Sequence, residues 1–297
     1  MWDEFNIYID LIQNAYKNYF NYLLNEIKHP AWDNYLYWLI AISIMVWVVE
    51  IVIPWRRKQA LFRKGFWLDA FYLFFNFFLV SLIGYHALSE VGVKLFNDIL
   101  YAFFGIENLV AIKVQTLSVW LQLFIMFLIA DFIQWWVHRL LHRVPFLWKI
   151  HQVHHSVKEM GFAAHFRFHF METIIYKSIQ YIPLAMIGFG IDQFIVVHLF
   201  ALLIGHLNHA NINVDYGVFR YVFNNPKMHI WHHAKELPPE HKYGMNFGLS
   251  LSIWDYLFKT VYIPTDGKDL EIGFVGDEVF PKDFKGQILY PFKKVKS

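Results

Sequence analysis

LSVWLQLFIMFLIADFIQWWVHRLLHR, residues 117–143, sets the architecture of this chain. Residues 117–137 form an apolar run close to the ~20 residues that a bilayer core requires. That run leads without a break into His138-x3-His142. On a helix continuing out of the span, positions i and i+4 share one face, so both imidazoles emerge together where the chain leaves the lipid. The fold expected is all-α: a multi-pass membrane helical bundle with a cytosolic-side helical cap carrying a histidine-rich dimetal site.

Composition agrees. Of the 297 residues, 57% are hydrophobic and 17% charged, against about 25% charged in average soluble domains. The surplus apolar surface needs lipid to cover it. A net charge of +2, with no basic stripe interleaved with aromatics, excludes a nucleic-acid partner. Cysteine is absent, which removes disulfides and thiolate ligands and leaves histidine as the soft-to-borderline donor. The acidic start, Met1-Trp2-Asp3-Glu4, is unlike a cleavable signal.

Working outward, residues 3–28 read as an amphipathic interfacial helix, with Phe5, Ile9, Ile12, Tyr16, Tyr19, Leu23 and Ile27 on one stripe. Residues 35–54 read as a first span and 67–88 as a second, with an interfacial stretch over 91–113. Between the first two spans lie Arg56, Arg57, Lys58, Arg63 and Lys64 without an acid, which places that loop in the cytoplasm. Residues 173–206 are apolar again, broken at Pro183 and at Gly188-Phe189-Gly190. Two short spans or a re-entrant hairpin would each return the chain to the side it left. All histidine clusters therefore fall on one face, the cytoplasmic one. The chain divides as 1–116 (interfacial helix and first spans), 117–262 (catalytic region) and 263–297 (cytosolic tail), a single integrated unit. Its brevity and lack of eukaryotic sorting signals point to a bacterial inner membrane.

Fourteen of the sixteen histidines lie between His138 and His241. His138 and His142 are followed by His151-x2-His154-His155 and His229-x2-His232-His233. Members of each cluster stand at i, i+3 and i+4, so each is read as presenting its nitrogens to a common point. One tetrahedral ion takes three or four protein ligands, so the eight imply two ions, or one ion with many spectators. Imidazole suits zinc, copper, nickel and iron. No carboxylate stands as in His-Glu-x2-His, where it would be a hydrolytic base. Iron is favoured because it activates O2, which attack on an unactivated lipid C–H bond requires. His209 is a further candidate ligand, with His206 in reserve. Asp131, inside the span and seven residues before His138, is expected to accept the second N–H of a ligand histidine. Glu172 and His169 are candidates for similar supporting parts. Two other classes fit less well: a divalent-metal transporter, which needs ligands at the midplane on broken helices, and a bis-histidine membrane cytochrome, which needs histidines facing each other within spans.

The chain resembles the fatty acid hydroxylase/sterol desaturase superfamily of membrane-bound non-haem diiron oxygenases. The resemblance runs from Asp131 to about Thr260. It rests on Trp136-Val137-His138-Arg139-Leu140-Leu141-His142, Leu147-Trp148-Lys149-Ile150-His151-Gln152-Val153-His154-His155, Phe166-Arg167-Phe168-His169 with Glu172, His209-Ala210-Asn211, Met228-His229-Ile230-Trp231-His232-His233, Asn246-Phe247-Gly248 and Trp254-Asp255. It implies that the eight clustered histidines and His209 hold two irons beneath a hydrophobic tunnel, and that O2 and an external electron donor hydroxylate or desaturate a lipid or sterol-like substrate. Phe170 stands where the family usually has proline, and Lys259 where it usually has glycine. With no fused cytochrome b5 segment and no dinucleotide fingerprint, the expected donor is a separate cytochrome b5-like protein, ferredoxin or reductase.

Overall fold

The computed structural model describes residues 2–32, 34–76, 94–95, 97–99, 101–105 and 114–293. The expected second span beyond Asn76 and most of the expected interfacial stretch over 91–113 lie outside these residues. Among the described residues the protein is helical throughout, with only isolated β-bridges such as Pro54 with Ile212.

Helix α1, Trp2–Lys28, is the expected amphipathic helix, and α2, Tyr35–Val52, the expected first apolar one. Asn34 joins them. Its amide donates to the Glu26 carbonyl at 2.7 Å, and its oxygen caps α2 by accepting from Tyr37 N at 3.2 Å. A short helix α3, Phe66–Phe74, follows Gly65, whose φ of +85° is open to glycine. A Cβ at Gly65 would also stand 2.3 Å from the Arg167 guanidinium, so the position has no room for a side chain.

Helix α4, Val119–Arg143, is the element on which the site is built. It runs unbroken through His138 and His142, as the sequence led us to expect. The chain reverses at Val144, and α5, Pro145–His155, starts with proline at a position whose N–H would be unpaired anyway. Helices α6, Phe170–Ile187, and α7, Ile191–His209, form a hairpin hinged at Gly188, where φ is +105°. Both lie against α4. Helix α8, Pro226–His232, brings in the last histidines. Two short helices follow, α9, Ile253–Leu257, and α10, Phe284–Leu289. Among the described residues, two helices, α2 and α4, are long and apolar enough to cross a bilayer.

The N-terminal third is joined to the rest through buried polar contacts as well as apolar ones. The Asp69 carboxylate is gripped by Arg63 on one side and Arg167 on the other. Trp55 packs with Val157, Met160, Ala164, Ile230 and Ile272. Apolar burial thus ties three distant parts of the sequence around the segments that carry histidines.

Candidate metal centre

Nine buried imidazoles converge in two adjoining groups: His138, His142, His151, His155 and His232 in one, and His154, His209, His229 and His233 in the other. Within each group the donor nitrogens all lie within 4.8 Å of one another. These are the eight clustered histidines plus His209.

The grouping differs from the reading of one cluster to one point. Successive residues on an α-helix are about 100° apart, so i and i+4 are nearly aligned while i+3 and i+4 diverge. On α5, His151 and His155 therefore face the first group and His154 the second. On α8 and its C-terminal residue, His229 and His233 face the second and His232 the first. Each His-His dipeptide straddles the two groups, and the rings of His155 and His233 stack at 4.5 Å along the shared wall.

Hydrogen bonds at the outward nitrogens fix the tautomers. Nδ1 of His138 lies 2.7 Å from the Phe247 carbonyl, Nδ1 of His232 2.8 Å from the Met245 carbonyl, and Nδ1 of His154 3.0 Å from the Arg167 carbonyl. Nδ1 of His209 lies 2.7 Å from the Gly205 carbonyl, and Nδ1 of His151 2.9 Å from Glu172 Oε2. A carbonyl only accepts, so these Nδ1 atoms carry the hydrogen and each Nε2 is left as a lone pair. Those lone pairs point at each other: His138 and His151 at 3.1 Å, His154 and His209 at 3.3 Å. Facing lone pairs at that range repel unless a cation lies between them. Metal–imidazole bonds of about 2.0–2.1 Å set neighbouring donors roughly 3.0–3.4 Å apart. The donor set fits metal ions.

Orphaned atoms agree. Nε2 of His142, His155 and His232 is buried without a hydrogen-bond partner. An unsatisfied buried polar group costs about 1–3 kcal/mol, a penalty that coordination would remove. Burial, reinforced by neighbouring imidazoles, holds His151, His155, His229, His232 and His233 well below the usual histidine range. For His154 burial pushes the value down to about 4. The rings are neutral near pH 7, as ligation requires.

Glu172 lies where a carboxylate behind a ligand is wanted, on His151. Asp131 does not. Its oxygens accept from Ser250 N at 3.1 Å, Leu251 N at 3.3 Å and Trp254 Nε1 at 2.9 Å, and no histidine reaches it. Seven residues is about two turns, which brings Asp131 under the same face but more than a side chain's reach from the rings. It acts at one remove, by holding the loop that follows Phe247. His169 is also spent elsewhere: Nδ1 caps α6 by accepting from Met171 N at 3.1 Å, and Nε2 donates to the Ile288 carbonyl at 3.0 Å. His206 stands outside both groups, bonded to Ser43 and to His165, each at 3.0 Å.

Asp255 is the supporting residue that sequence reasoning left without a role. It accepts from Phe247 N, Gly248 N, Trp135 Nε1 and Thr260 Oγ1. Asn246, at φ +52°, is pinned through its amide to Met228 O and Tyr262 O. Together they aim the carbonyls of Met245 and Phe247 at His232 and His138. The two departures from the family pattern also find places. Phe170 is the first residue of α6, a position that favours proline. Lys259 sits at φ +55°, a conformation that favours glycine.

Residues 123–260 match the family model of the fatty acid hydroxylases. An ornithine lipid hydroxylase of Rhizobium tropici is 33% identical over 166 residues, 56% of this chain and 49% of that protein. The alkylglycerol monooxygenase of Homo sapiens is 33% identical over 136 residues, 45% of this chain and 29% of that protein. A very-long-chain aldehyde decarbonylase of Oryza sativa subsp. japonica is 26% identical over 142 residues, 47% of this chain and 46% of that protein. The chain thus spans half or less of the length of these relatives. No solved structure matches it.

Proposed function

We propose that this chain, whose residues 123–260 match the family model of the fatty acid hydroxylases, is a membrane-bound diiron oxygenase that hydroxylates a lipid. The observation that carries this reading is the pair of adjoining all-histidine groups with lone pairs turned inward. Names of relatives support it: one acts as a lipid hydroxylase, another as a monooxygenase. With iron bound, the centre would insert one atom of O2 into a C–H bond and release the other as water, drawing electrons and protons from outside.

The chain's own residues supply position and surroundings. His138, His142, His151, His155 and His232 would hold one ion, and His154, His209, His229 and His233 the other. Carbonyls of residues 167, 205, 245 and 247, with Glu172, keep the rings in the ligating tautomer. Next to the first group, α4, α6 and α7 line a small pocket of about 30 Å³, room for one or two water molecules. Met126, Phe127, Phe194 and Val197 give it an apolar side, and Asp131, Gln134, Gln180 and His198 a polar one, Gln134 standing one helical turn from His138.

In the membrane, α2 and α4 would be spans of a multi-pass bundle, with the histidines on the cytoplasmic face of a bacterial inner membrane. Electrons would come from a separate carrier protein. Ligands gathered at the C-terminal end of α4 and on short helices beyond it suit this better than a transporter, whose site belongs at mid-membrane.

The test is metal analysis of purified protein with Mössbauer spectroscopy, followed by lipidomics of cells with and without the gene under 18O2. Two irons per chain and a labelled hydroxyl on a lipid are expected. Loss of two hydrogens without label would make it a desaturase. Stoichiometric zinc with no change in lipids would refute the reading.

A further inference from the structure

Four segments form one continuous surface beside the metal centre. Residues 217–222 lie against 252–256, with Ser252 N on the Val222 carbonyl at 2.9 Å and the rings of Tyr221 and Tyr256 at 5.1 Å. Residues 254–258 lie against α4, where Phe258 stacks on Trp135 at 4.7 Å and Phe132 meets Trp254 at 4.9 Å. About two turns further along α4, the Arg143 guanidinium covers the Tyr243 ring at 5.5 Å.

This surface carries large apolar side chains turned to the outside. Val218 is 76% exposed, Leu257 64% and Phe219 63%, and Trp136, Tyr221, Tyr243, Ile253 and Phe258 are exposed as well. Soluble surfaces rarely gather so much contiguous apolar area without a partner. Among it stand Arg139, Arg143, Arg220, Lys242 and Lys259, and among the described residues none of them forms an ion pair. The acid of these segments, Asp255, is fully buried and engaged with the 247–248 loop. Some cations elsewhere are paired, as Lys235 is with Glu271 and Glu278, Lys158 with Asp277 and Lys227 with Asp215; what marks this surface is that no exposed acid stands within its four segments.

Lys259 sharpens the point. Its φ of +55° is costly for any residue with a Cβ and free for glycine. Lys259 thus presents an exposed ammonium from a strained backbone position.

We propose that residues 217–222, 252–259, 136–143 and 242–243 form a second membrane-contact surface, which docks the histidine-bearing cap on the headgroup layer of an anionic bilayer. Aromatic rings with snorkelling arginines and lysines are the chemistry of that layer, and unpaired cations are drawn to anionic lipid. The surface is continuous with the C-terminal end of α4, where a spanning helix leaves the membrane. It rests on the reading of α2 and α4 as spans. It places the loop 245–251, which holds His138 and His232, directly over lipid.

The chain contains no cysteine, so single cysteines can be labelled specifically. Val218→Cys and Leu257→Cys would carry an environment-sensitive fluorophore in the full-length protein, reconstituted in nanodiscs of phosphatidylcholine with or without phosphatidylglycerol. Ile44→Cys on α2 serves as the lipid control, and Val279→Cys, 88% exposed and next to Glu278, as the water control. Labels at 218 and 257 should lose iodide quenching and be quenched by lipid-attached nitroxides, more strongly with the anionic lipid. Lys259→Gly should raise thermal stability while weakening lipid quenching at 257, opposite signs that a purely structural role would not produce. If 44 reads as lipid while 218 and 257 read as water, the docking proposal fails and the spans survive. If 44 also reads as water, the membrane reading itself fails. Protection of 218 and 257 from both quenchers would mean a protein partner or second copy, and overturns the proposal.

Discussion

Replacing Asp255 by asparagine should remove one metal ion and spare the other. Asp255 accepts four hydrogen bonds: Phe247 N at 2.9 Å, Trp135 Nε1 at 3.0 Å and Thr260 Oγ1 at 2.6 Å on Oδ1, and Gly248 N at 2.8 Å on Oδ2. In the better of its two orientations an asparagine keeps its oxygen at Oδ1 and presents NH2 to the Gly248 N–H. One bond to a charged acceptor is lost and a buried donor is orphaned, at a cost of about 1.5–3 kcal/mol. The strain is relieved by moving residues 247–248, and the Phe247 carbonyl is what holds His138 Nδ1 at 2.7 Å. Loss of such support behind a ligand typically weakens metal binding about 10–100-fold, which is roughly 1.4–2.7 kcal/mol. That is no more than the hydrogen bond released. The effect should be confined to the five-histidine group, because His154 and His209 are held by Arg167 and Gly205, which Asp255 does not touch. Dialysis of wild type and Asp255→Asn against graded chelator, read by mass spectrometry of retained metal, should show a plateau at one ion for the variant where wild type keeps two. Parallel loss of both ions, or retention of both at the wild-type chelator midpoint, would refute the chain of support from Asp255 to His138.

Glu172→Gln keeps an acceptor for His151 Nδ1 but removes its charge. Metal at the five-histidine group should weaken by at most about 10–100-fold, again readable by chelator titration. His169→Ala should leave both ions in place and cost about 1 kcal/mol through the lost cap on α6, seen as a lowered Tm at unchanged metal content. His206→Ala should likewise retain two ions, since neither of its nitrogens faces a group; a fall in metal content would return it to the ligand set. Gly205→Ala should destabilise despite the roughly 1 kcal/mol that alanine gains inside a helix. Its Cβ would lie 2.3 Å from the His165 ring, which is pinned by His206 and by stacking on His209. A Tm at or above wild type would show that this ring has room to yield.

These predictions separate what spacing can show from what it cannot. Histidines at i, i+3 and i+4 after an apolar run announce a metal centre, because helix geometry alone puts them near one another. The unbroken helix through His138 and His142 was legible for the same reason. How the rings divide between the groups follows from the 100° step between residues, but only once α5 and α8 are set side by side, so that His155 meets His233. Tertiary placement decides it. The acceptors behind the ligands are less legible still. Four of the five are backbone carbonyls, which every residue possesses, and what selects residues 245 and 247 is the left-handed turn at Asn246 and the grip of Asp255. Asp131 shows the limit most clearly. A buried acid two turns below a ligand has to be satisfied by something, and composition cannot tell a ring N–H from the backbone N–H groups of Ser250 and Leu251. The geometry of the centre therefore depends on a loop whose sequence carries no periodic signal. Asp131 and Asp255 anchor that loop from two helices, so the position of His138 is set jointly by the helix it stands on and by a loop more than a hundred residues away.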